Sequence, residues 1–397
     1  MKHGFYFRFY RIFHHESLCC FLAKIAYLLY CIVFVLKKTF RKRVKTEMTV
    51  DEAHKIINDI YPKPESEPIY INPEIDKSLD LSIVIPVYNY ADILEDNIKS
   101  ILNQKTDYKF EAIFVDDGST DGAQKILKKY ENHPNVKLIF QQNGGIGAAR
   151  NTGINHANGK YLMFVDCDDI VHDDIVESLL SRAYADDLDM VVAAHNLVKE
   201  RNGEVYEIVP NIYPQSNLIG YRNGDEIMNL PGLPWAKVYK RELWDQVRFY
   251  PGYWYEDEII QFLIFPQVKF YAYIPKVVYE YKWYEKNFSH TQNDSKRVKC
   301  IDNYWLLTEI LHAYDRMKLP DKEILITLLT RHLSAYYYPF IKDLDAKVVE
   351  ALFVVAKELL LRYEKSETHH LPYVISQAKK ALEENDIELW KISSCYQ

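Results

Sequence analysis

The chain has 397 residues, of which 48% are hydrophobic and 26% charged, a composition typical of proteins that fold around an apolar core. Its formal net charge is −7, so it lacks the overall positive charge of many nucleic-acid-binding proteins, and we expect no nucleic-acid partner. With 13 glycines and 16 prolines, the sequence is neither collagen-like nor of low complexity.

An apolar stretch lies near the start of the sequence, at 17–36, with Lys24 as its one charged residue. About 20 residues of helix cross a bilayer core, so the stretch is long enough to span a membrane. A basic flank follows at 37–45, and it places the rest of the chain in the cytoplasm. We predict that 1–45 form a membrane-associated helix that spans the bilayer or lies on its surface; a buried helix of the fold is the alternative.

The next segment, 46–80, is predicted to be a connector that contains an amphipathic helix at 50–60 and a proline-rich run. From Leu81 onward, short apolar runs alternate with segments of helical periodicity. The predicted strands are 81–87, 110–115, 136–140, 161–165 and 188–194, and the predicted helices are 91–104, 121–130, 146–157 and 170–184. This alternation indicates an α/β fold of the Rossmann-like kind, with a mostly parallel sheet and flanking helices.

The strand pattern ends near 287, and the sequence after it predicts helices. These helices are 297–317, 324–344, 347–363 and 372–384, and Pro339 is expected to kink or end the second. We therefore predict a helical C-terminal region at 291–397. The sequence leaves open whether this region binds an acceptor, forms a homo-oligomer, docks to other assembly enzymes or packs on the catalytic domain.

Carboxylates follow two of the predicted parallel strands. Asp116 and Asp117 come at the end of the second strand, and Asp166, Asp168 and Asp169 follow the fourth. Parallel sheets bind ligands beyond the carboxyl ends of their strands, so these side chains should meet in one crevice. Mg²⁺ or Mn²⁺ would relieve their repulsion, since both prefer oxygen ligands and often join carboxylates to a diphosphate. Each motif alone could be a turn or a helix cap, but together they predict a metal and diphosphate site.

Four segments between 81 and 169 resemble the N-terminal half of the family-2 inverting glycosyltransferases, which have the GT-A fold. They are LSIVIPVYN, FEAIFVDDGSTDG, QQNGGIGAARNTGINHANGKY and LMFVDCDD. The YEDE sequence at 255–258 resembles the family's ED motif, and PWAKVY at 234–239 resembles its acceptor-side part. Residues 279–283 and 287–291 resemble the tyrosine-rich segment that closes the catalytic domain in bacterial capsule and cell-wall enzymes.

The resemblance implies a catalytic domain at 81–290 that moves a sugar from a nucleotide-diphosphate donor, expected to be a UDP-sugar, to a hydroxyl of a glycan or lipid-linked glycan. It implies Mn²⁺ or Mg²⁺ as cofactor and the cytoplasmic face of a bacterial inner membrane as location. A sugar nucleotidyltransferase is one alternative, but VYNYADI lacks the glycine-rich basic loop such an enzyme has after its first strand. An inactive nucleotide-binding scaffold is the other, and the intact D-x-D and ED positions disfavour it.

The resemblance also implies which residues contact the nucleotide. The wall beside the uracil and ribose would be formed by Pro86, Val87 and Tyr88. Asp117 would accept a hydrogen bond from the base, with Asp116 supporting the turn, and Arg150 would lie near the nucleotide.

Metal and catalytic roles are implied in the same way. Asp168 is the leading metal ligand, Asp166 lies near the metal or the ribose, and Asp169 either shares the metal or caps the next helix. Asp257 stands at the position of the catalytic base, and Glu256 would orient it or contact the acceptor. The alternative is that 255–258 only opens a helix, where acidic residues are favoured.

Two pKa shifts are expected from the charges in these motifs. Glu256 and Glu258 are like charges that raise the pKa of Asp257, which suits a base working near neutral pH. Acidic residues on both sides of Cys167 raise the pKa of its thiol, so we interpret Cys167 as a small packing residue.

Overall fold

The computed structural model of the chain describes residues 16–65, 67–201, 203–212, 219–221, 227, 230–283, 298–320, 322–363 and 373–395. The chain divides into two compact units. The first, called here the α/β unit, holds the described residues of 64–293 and 305–321, and the second, called the helical unit, holds those of 1–63, 294–304 and 322–397. The predicted connector is thus divided after Lys63, and the predicted boundary at 290 lies outside the described residues.

The described residues of the α/β unit form a ten-stranded sheet. Its strands are β1 (Leu81–Val87), β2 (Phe110–Asp116), β3 (Val136–Phe140), β4 (Tyr161–Phe164), β5 (Ile170–Val171), β6 (Met190–Arg201), β7 (Glu204–Asn211), β8 (Ile219–Tyr221), β9 (Lys237–Lys240) and β10 (Phe270–Trp283). They lie in the order β3-β2-β1-β4-β9-β6-β10-β5, with β7 beside β6 and β8 beside β10. Neighbours from β3 to β4 are parallel, as are β6 and β10, whereas β9 runs antiparallel to β4 and β6. The predicted α/β fold with a mostly parallel sheet at its N-terminal half is confirmed.

The predicted bounds of β1 and β3 are confirmed, and those of β2 and β4 differ by a single residue. The predicted helix at 170–184 is wrong at its start, because Ile170 and Val171 pair with β10 and the helix is Ile175–Ala185. The sequence analysis does not predict β7, β8, β9 or β10. β7 forms a hairpin with β6, whereas β8, β9 and β10 pair with strands that are distant in the sequence, and this pairing rather than a local apolar pattern makes them strands.

The helices that follow β1, β2, β3 and β5 are Ala91–Leu102, Ala123–Lys128, Ile146–Asn155 and Ile175–Ala185. The third approaches β1 closely at Gly153, where a Cβ atom would lie 2.2 Å from Cγ1 of Val84. All seven residues of β1 are buried, and much of the apolar core surrounds them. The loops at the carboxyl ends of the strands therefore rise from a closely packed base.

The predicted N-terminal helix is present as Glu16–Phe40 in the helical unit. It packs on other helices of that unit: Phe34 is buried and meets the ring of Tyr373 edge-on at 6.1 Å. Nζ of Lys38 donates to the hydroxyl of Tyr373 at 3.0 Å, and Arg41 pairs with buried Asp386 at 2.7 Å. These contacts hold the C-terminal part of the helix on its own unit.

The predicted membrane-associated localisation is contradicted. Among the residues that the structure describes, no helix is both long enough and apolar enough to cross a membrane. The helix Glu16–Phe40 carries Lys24 within its apolar stretch, and a charged side chain is costly in a bilayer core. The opening segment, 1–15, lies outside the described residues.

The predicted connector helix is confirmed at Val50–Ile60, where Thr49 and Glu52 form a reciprocal capping box. The remaining helices are Asp302–Met317, Lys322–Arg331, Tyr338–Ile341, Ala346–Leu361, Tyr373–Glu383 and Ile387–Cys395, and Asp302–Met317 belongs to the α/β unit from Trp305 onward. The predicted helix at 324–344 is interrupted by a wide turn at His332–Tyr336 and restarts with Pro339 in its first turn. A proline is tolerated there because no intrahelical partner is required for its nitrogen.

Candidate active site

The loops after β1 and β2 are joined by hydrogen bonds. The backbone N–H of Asn89 donates to Oγ of Ser119 at 3.0 Å, and the N–H of Thr120 donates to Oδ1 of Asn89 at 2.8 Å. Asn89 has a φ of 58°, a left-handed conformation that is uncommon for residues other than glycine. These bonds hold the strained turn that directly follows Tyr88.

The three residues predicted to line the uracil differ in exposure. Pro86 and Val87 are buried within β1, whereas Tyr88 is 46% exposed just beyond the end of the strand. A ligand at this edge of the sheet can therefore reach the side chain of Tyr88 but not those of the other two.

Asp117 holds the glycine-rich loop that precedes the helix Ile146–Asn155. Its Oδ1 accepts hydrogen bonds from Nε2 of Gln141 at 2.7 Å and from the N–H of Gly144 at 2.9 Å. Its Oδ2 accepts from the N–H of Gly145 at 2.8 Å. Burial raises the pKa of Asp117, and these three bonds oppose the increase.

Asp116 supports the turn that follows β2. It is fully buried, and its Oδ2 accepts hydrogen bonds from Nε2 of Gln124 at 2.7 Å and from the N–H of Ser119 at 3.3 Å. Asp116 therefore faces the interior of the turn, while its neighbour Asp117 fixes the next loop.

Arg150 joins two motifs that are far apart in the sequence. Its guanidinium is buried and donates to Oδ1 of Asp166 at 2.8 Å and to Oε1 of Glu256 at 2.6 Å. It also lies over the ring of Phe249, with 5.2 Å between the guanidinium carbon and the ring centroid. The structure thus brings the D-x-D end of the sheet and the ED segment into one site.

The helix Ile146–Asn155 holds the segment before the ED motif directly. The side chain of Asn151 donates to the carbonyl oxygen of Phe249 at 2.7 Å and accepts from the N–H of Phe249 at 2.8 Å. Gly147 lies so close that an added Cβ would be 3.3 Å from Cβ of Phe249 and 3.7 Å from Cγ of Glu256. The small residues of this helix allow the close approach.

The three carboxylates after β4 have different surroundings. Asp166 and Asp168 are half-buried, whereas Asp169 is fully buried. Oδ2 of Asp169 accepts from the hydroxyl of Tyr279 at 2.6 Å, and Oδ1 accepts from the N–H of Lys282 at 2.9 Å. Asp169 therefore ties the D-x-D loop to β10, and the two less buried carboxylates are the ones that a ligand can reach.

Burial and the charges of Asp168 and Asp166 raise the pKa values of Asp169 and of the Cys167 thiol well above their ordinary values. Cys167 is buried in the core beneath the loop. The expected direction for its thiol is confirmed, with burial as the largest cause, and its position fits a packing residue.

Asp257 lies in a short 3₁₀ turn, Glu256–Glu258, that begins after Tyr255 in a left-handed conformation. Burial raises the pKa of Asp257 to about 7; the charges of Glu256 and Glu258 add to the increase, and Arg150 opposes it. The pKa of Asp257 is raised, as the sequence analysis expects, although burial rather than the charges of its neighbours is the main cause. A carboxylate with this pKa is suited to accept a proton near neutral pH.

Two buried residues lie in the segment 234–239, which by resemblance is the acceptor-side part. Trp235 is buried and stacks on Tyr279, with 4.7 Å between the ring centroids and 9° between the ring planes. Lys237 is buried at the start of β9, and its Nζ donates to the carbonyl oxygen of Leu233 at 2.7 Å. A lysine within the apolar run PWAKVY is the sequence signal that identifies the second of them.

The tyrosine-rich segment forms part of β10 up to Trp283, and its continuation at 287–291 lies outside the described residues. Nζ of Lys282 pairs with Glu200 at 3.2 Å.

In the part of the chain that the structure describes, no group of three or more His, Cys, Asp or Glu side chains is arranged to hold a metal ion. Oxygen donors from Asp166 and Asp168 fit Mg²⁺ or Mn²⁺ if a bound substrate supplies further ligands.

Comparison with known sequences identifies a family. The sequence profile of glycosyl transferase family 2 matches residues 82–233. The chain is 31% identical over 246 residues to the uncharacterized glycosyltransferase YibD of Escherichia coli (strain K12), a match that covers 59% of this chain and 71% of YibD. It is 32% identical over 212 residues to glycosyltransferase GlyG of Streptococcus pneumoniae serotype 4, which covers 50% of this chain and 67% of GlyG.

Comparison with solved structures agrees on the fold. The crystal structure of S. aureus TarS 1–349 in complex with UDP-GlcNAc matches with a TM-score of 0.60 at 17% identity. The match covers 80% of this chain and 90% of that chain. Together with the profile match, it confirms the predicted GT-A fold class.

Proposed function

This chain belongs to the family-2 glycosyltransferases, and we propose that it transfers a sugar from a UDP-sugar to a hydroxyl of a glycan acceptor, with inversion at the anomeric carbon. The relationship to YibD and GlyG supports sugar transfer, and the complex of TarS with UDP-GlcNAc supports a uridine-diphosphate donor. The relative GgaB of Bacillus subtilis (strain 168), a minor teichoic acid biosynthesis protein, supports a polymeric acceptor; the two chains are 28% identical over 258 residues, which is 27% of GgaB.

The observation that carries this proposal is the bridge formed by Arg150. One guanidinium contacts Asp166 at 2.8 Å and Glu256 at 2.6 Å, so the donor-side carboxylates and the proposed base are parts of one site. Asp257 follows Glu256 directly and has a pKa of about 7. A carboxylate at this place is ready to take a proton from an acceptor hydroxyl.

The proposed reaction is a single displacement. The oxygen of the acceptor hydroxyl forms a bond to the anomeric carbon, while the bond from that carbon to the diphosphate oxygen breaks through an oxocarbenium-like state. The diphosphate leaves with the electron pair, and the hydroxyl proton passes to the carboxylate of Asp257. General base catalysis of this kind contributes about 10²–10⁴-fold to the rate. One base is sufficient because no covalent intermediate with the enzyme forms.

We place the nucleotide at the carboxyl ends of β1 and β2, beside Tyr88. Each carboxylate oxygen has two lone pairs, so Oδ2 of Asp117, which accepts one bond from Gly145, can also accept an N–H of the base. The rigid loops around Asn89 and Asp117 keep these groups in place before the donor arrives, which lowers the entropy lost on binding.

Asp168, with Asp166 beside it, would hold the divalent metal, and the diphosphate of the donor would complete the coordination. When bound, the metal supplies positive charge that stabilises the leaving diphosphate by several kcal/mol. Asp169 would act indirectly, since both of its oxygens accept hydrogen bonds from β10. Arg150 keeps Asp166 from rotating away from the site.

The direct test replaces the proposed base. D257N should abolish release of UDP from a panel of UDP-sugars in the presence of Mn²⁺, whereas the affinity for UDP measured by calorimetry should stay near that of the unmodified protein. The control is D187N, which removes a carboxylate whose side chain is 92% exposed and should leave turnover unchanged. Full turnover by D257N would reject Asp257 as the base, and release of no nucleotide from any donor by the unmodified protein would reject the proposed donor class.

A further inference from the structure

A buried amide contacts the D-x-D loop from the helix that follows β1. Asn97 belongs to the helix Ala91–Leu102, and its side chain is fully buried. Its Nδ2 donates to the carbonyl oxygen of Asp166 at 3.0 Å and to that of Asp169 at 2.7 Å. An amide NH2 group has two hydrogens, so Asn97 uses its whole donor capacity on these two carbonyl groups.

The two carbonyl groups belong to the ends of a tight turn. The N–H of Asp169 donates to the carbonyl oxygen of Asp166 at 3.1 Å, the bond of a β-turn in which Cys167 and Asp168 are the central residues. The backbone of this turn sets the direction in which the Asp168 side chain leaves it. Asn97 therefore holds, at both ends, the turn that carries the proposed metal ligand.

The amide of Asn97 is not explained by the stability of its surroundings. Its Oδ1 is buried and has no hydrogen-bond partner among the described residues. An unpaired buried acceptor is unfavourable, and an apolar side chain of similar size would fill the same space without it. The two bonds to the turn are what an amide provides at this position and an apolar residue does not.

Two further polar side chains, one and two helical turns beyond Asn97, contact the chain after the D-x-D turn. Oγ of Ser100 accepts from the N–H of Val171 at 3.3 Å, and Nε2 of Gln104 donates to the carbonyl oxygen of His172 at 2.9 Å. The spacing i, i+3 and i+7 places the three polar residues on one side of this segment. Of the three, Asn97 is the one that bonds to the turn itself.

We propose that Asn97 is a positioning residue for sugar transfer: its two bonds hold the turn 166–169, so that Asp168 is in place to bind the divalent metal before the metal and the donor diphosphate arrive. This inference rests on the proposed function, because it concerns the metal site of that reaction. Side chains that orient metal ligands matter to binding, and their loss typically weakens metal affinity or activity by about 10–100-fold.

The test compares UDP binding with and without Mn²⁺ in N97L, whose side chain has nearly the size of asparagine but no donor. Calorimetry should show that Mn²⁺ strengthens UDP binding to the unmodified protein and that N97L loses most of this gain. Without metal, both proteins should bind UDP equally, because Tyr88 and Asp117 belong to other loops. The Mn²⁺ concentration for half-maximal UDP release should rise by about tenfold or more, and saturating Mn²⁺ should restore kcat.

A second measurement requires no metal. The N–H of Asp169 closes the turn, and its exchange with solvent reports how often the turn opens. In N97L this exchange should be faster by about fivefold or more, the factor that corresponds to one ordinary hydrogen bond. Hydrogen exchange followed by mass spectrometry, with fragmentation to single residues, measures it.

The matched control is Q104M, which removes a similar amide from the same segment. Gln104 also donates to two backbone carbonyls, those of Ser100 and His172, each at 2.9 Å. Its loss should leave the Mn²⁺-dependent gain and the exchange of Asp169 unchanged. N97A is a second variant that removes the amide without adding apolar volume, and thermal unfolding monitored by circular dichroism reports which variants fold.

The inference is overturned by a full Mn²⁺-dependent gain or by unchanged exchange of Asp169 in folded N97L or N97A, and by equal effects in Q104M. Loss of cooperative unfolding in both variants at position 97 also overturns it, because Asn97 would then serve the fold rather than the metal site. Failure of the proposed metal site is distinguishable, since the unmodified protein would then bind UDP no more tightly with Mn²⁺. If D168N loses the gain and N97L keeps it, the metal site stays and only the role of Asn97 is rejected.

Discussion

The hydroxyl of Tyr279 donates a hydrogen bond of 2.6 Å to Oδ2 of Asp169, and both side chains are buried. The same hydroxyl accepts a bond of 3.3 Å from the N–H of Asp166. The tyrosine therefore contacts the first and last residues of the D-C-D-D sequence at once, and it connects that loop to β10.

Y279F should lower the free energy of unfolding by about 1–3 kcal/mol, because it leaves a buried carboxylate oxygen without its donor. The phenylalanine ring can still stack on Trp235, so the decrease in unfolding free energy measures the contribution of the hydroxyl group alone. Urea unfolding at pH 7 measures it. Y184F is the control, since it removes a hydroxyl that bonds to Asp80 at a more exposed place and should change stability by less than about 0.5 kcal/mol. Equal losses in the two variants would contradict the prediction.

R150M should lower stability by roughly 3–5 kcal/mol, because it leaves Asp166 and Glu256 without their shared cation. R150K keeps the charge, but one ammonium lacks the planar fork that reaches both carboxylates, so stability should recover in part while UDP release stays low. Denaturant unfolding and UDP release measure the two effects. If R150K is as active as the unmodified protein, the bridge geometry is unimportant for the reaction.

The raised pKa of Asp257 predicts that activity decreases as the pH falls through about 7. The base must be ionised, and the ionised fraction of a group with this pKa is about tenfold lower at pH 6 than at pH 8. Measuring kcat/KM for UDP release between pH 5 and pH 9 shows this decrease in activity. A profile that is flat down to pH 5 would show that the acting base has an ordinary carboxylate pKa.

The same shift has a consequence for stability. Because the folded state binds a proton on Asp257 more tightly than the unfolded state does, stability contributed by this group falls as the pH rises from about 4 through 7. D257N carries no titrating group there, so its melting temperature relative to the unmodified protein should be higher at pH 8 than at pH 5. Thermal unfolding at the two pH values measures the difference, and a difference of the opposite sign would mean that Asp257 is stabilised as a charge.

Removal of metal with EDTA should abolish UDP release, and Mn²⁺ should restore it. In calorimetry, Mn²⁺ should strengthen UDP binding by about tenfold or more, a difference of about 1.4 kcal/mol, and D168N should lose most of this gain. D173N removes an exposed carboxylate nearby that pairs with Lys105 and should retain the gain. Metal-dependent UDP binding that survives in D168N would exclude Asp168 as a ligand.

Local pattern in the sequence was sufficient for the first half of the sheet. The bounds of β1 and β3 and of the helix Val50–Ile60 follow from short apolar runs and from amphipathic periodicity, which depend on neighbouring residues alone. The D-x-D and ED positions were recognised by their resemblance to the family's motifs, because the order and spacing of these motifs along the chain are specific.

Contacts between residues that are far apart in the sequence were decided by the tertiary structure alone. The contacts of Arg150 with Asp166 and Glu256 join residues separated by up to 106 positions, and no local pattern encodes such distances. The N-terminal helix shows the same limit, because its apolar sequence fits a membrane or a protein core equally well. Apolar surface is favoured wherever water is excluded, so the sequence could not show that Phe34 is buried against Tyr373 within the helical unit.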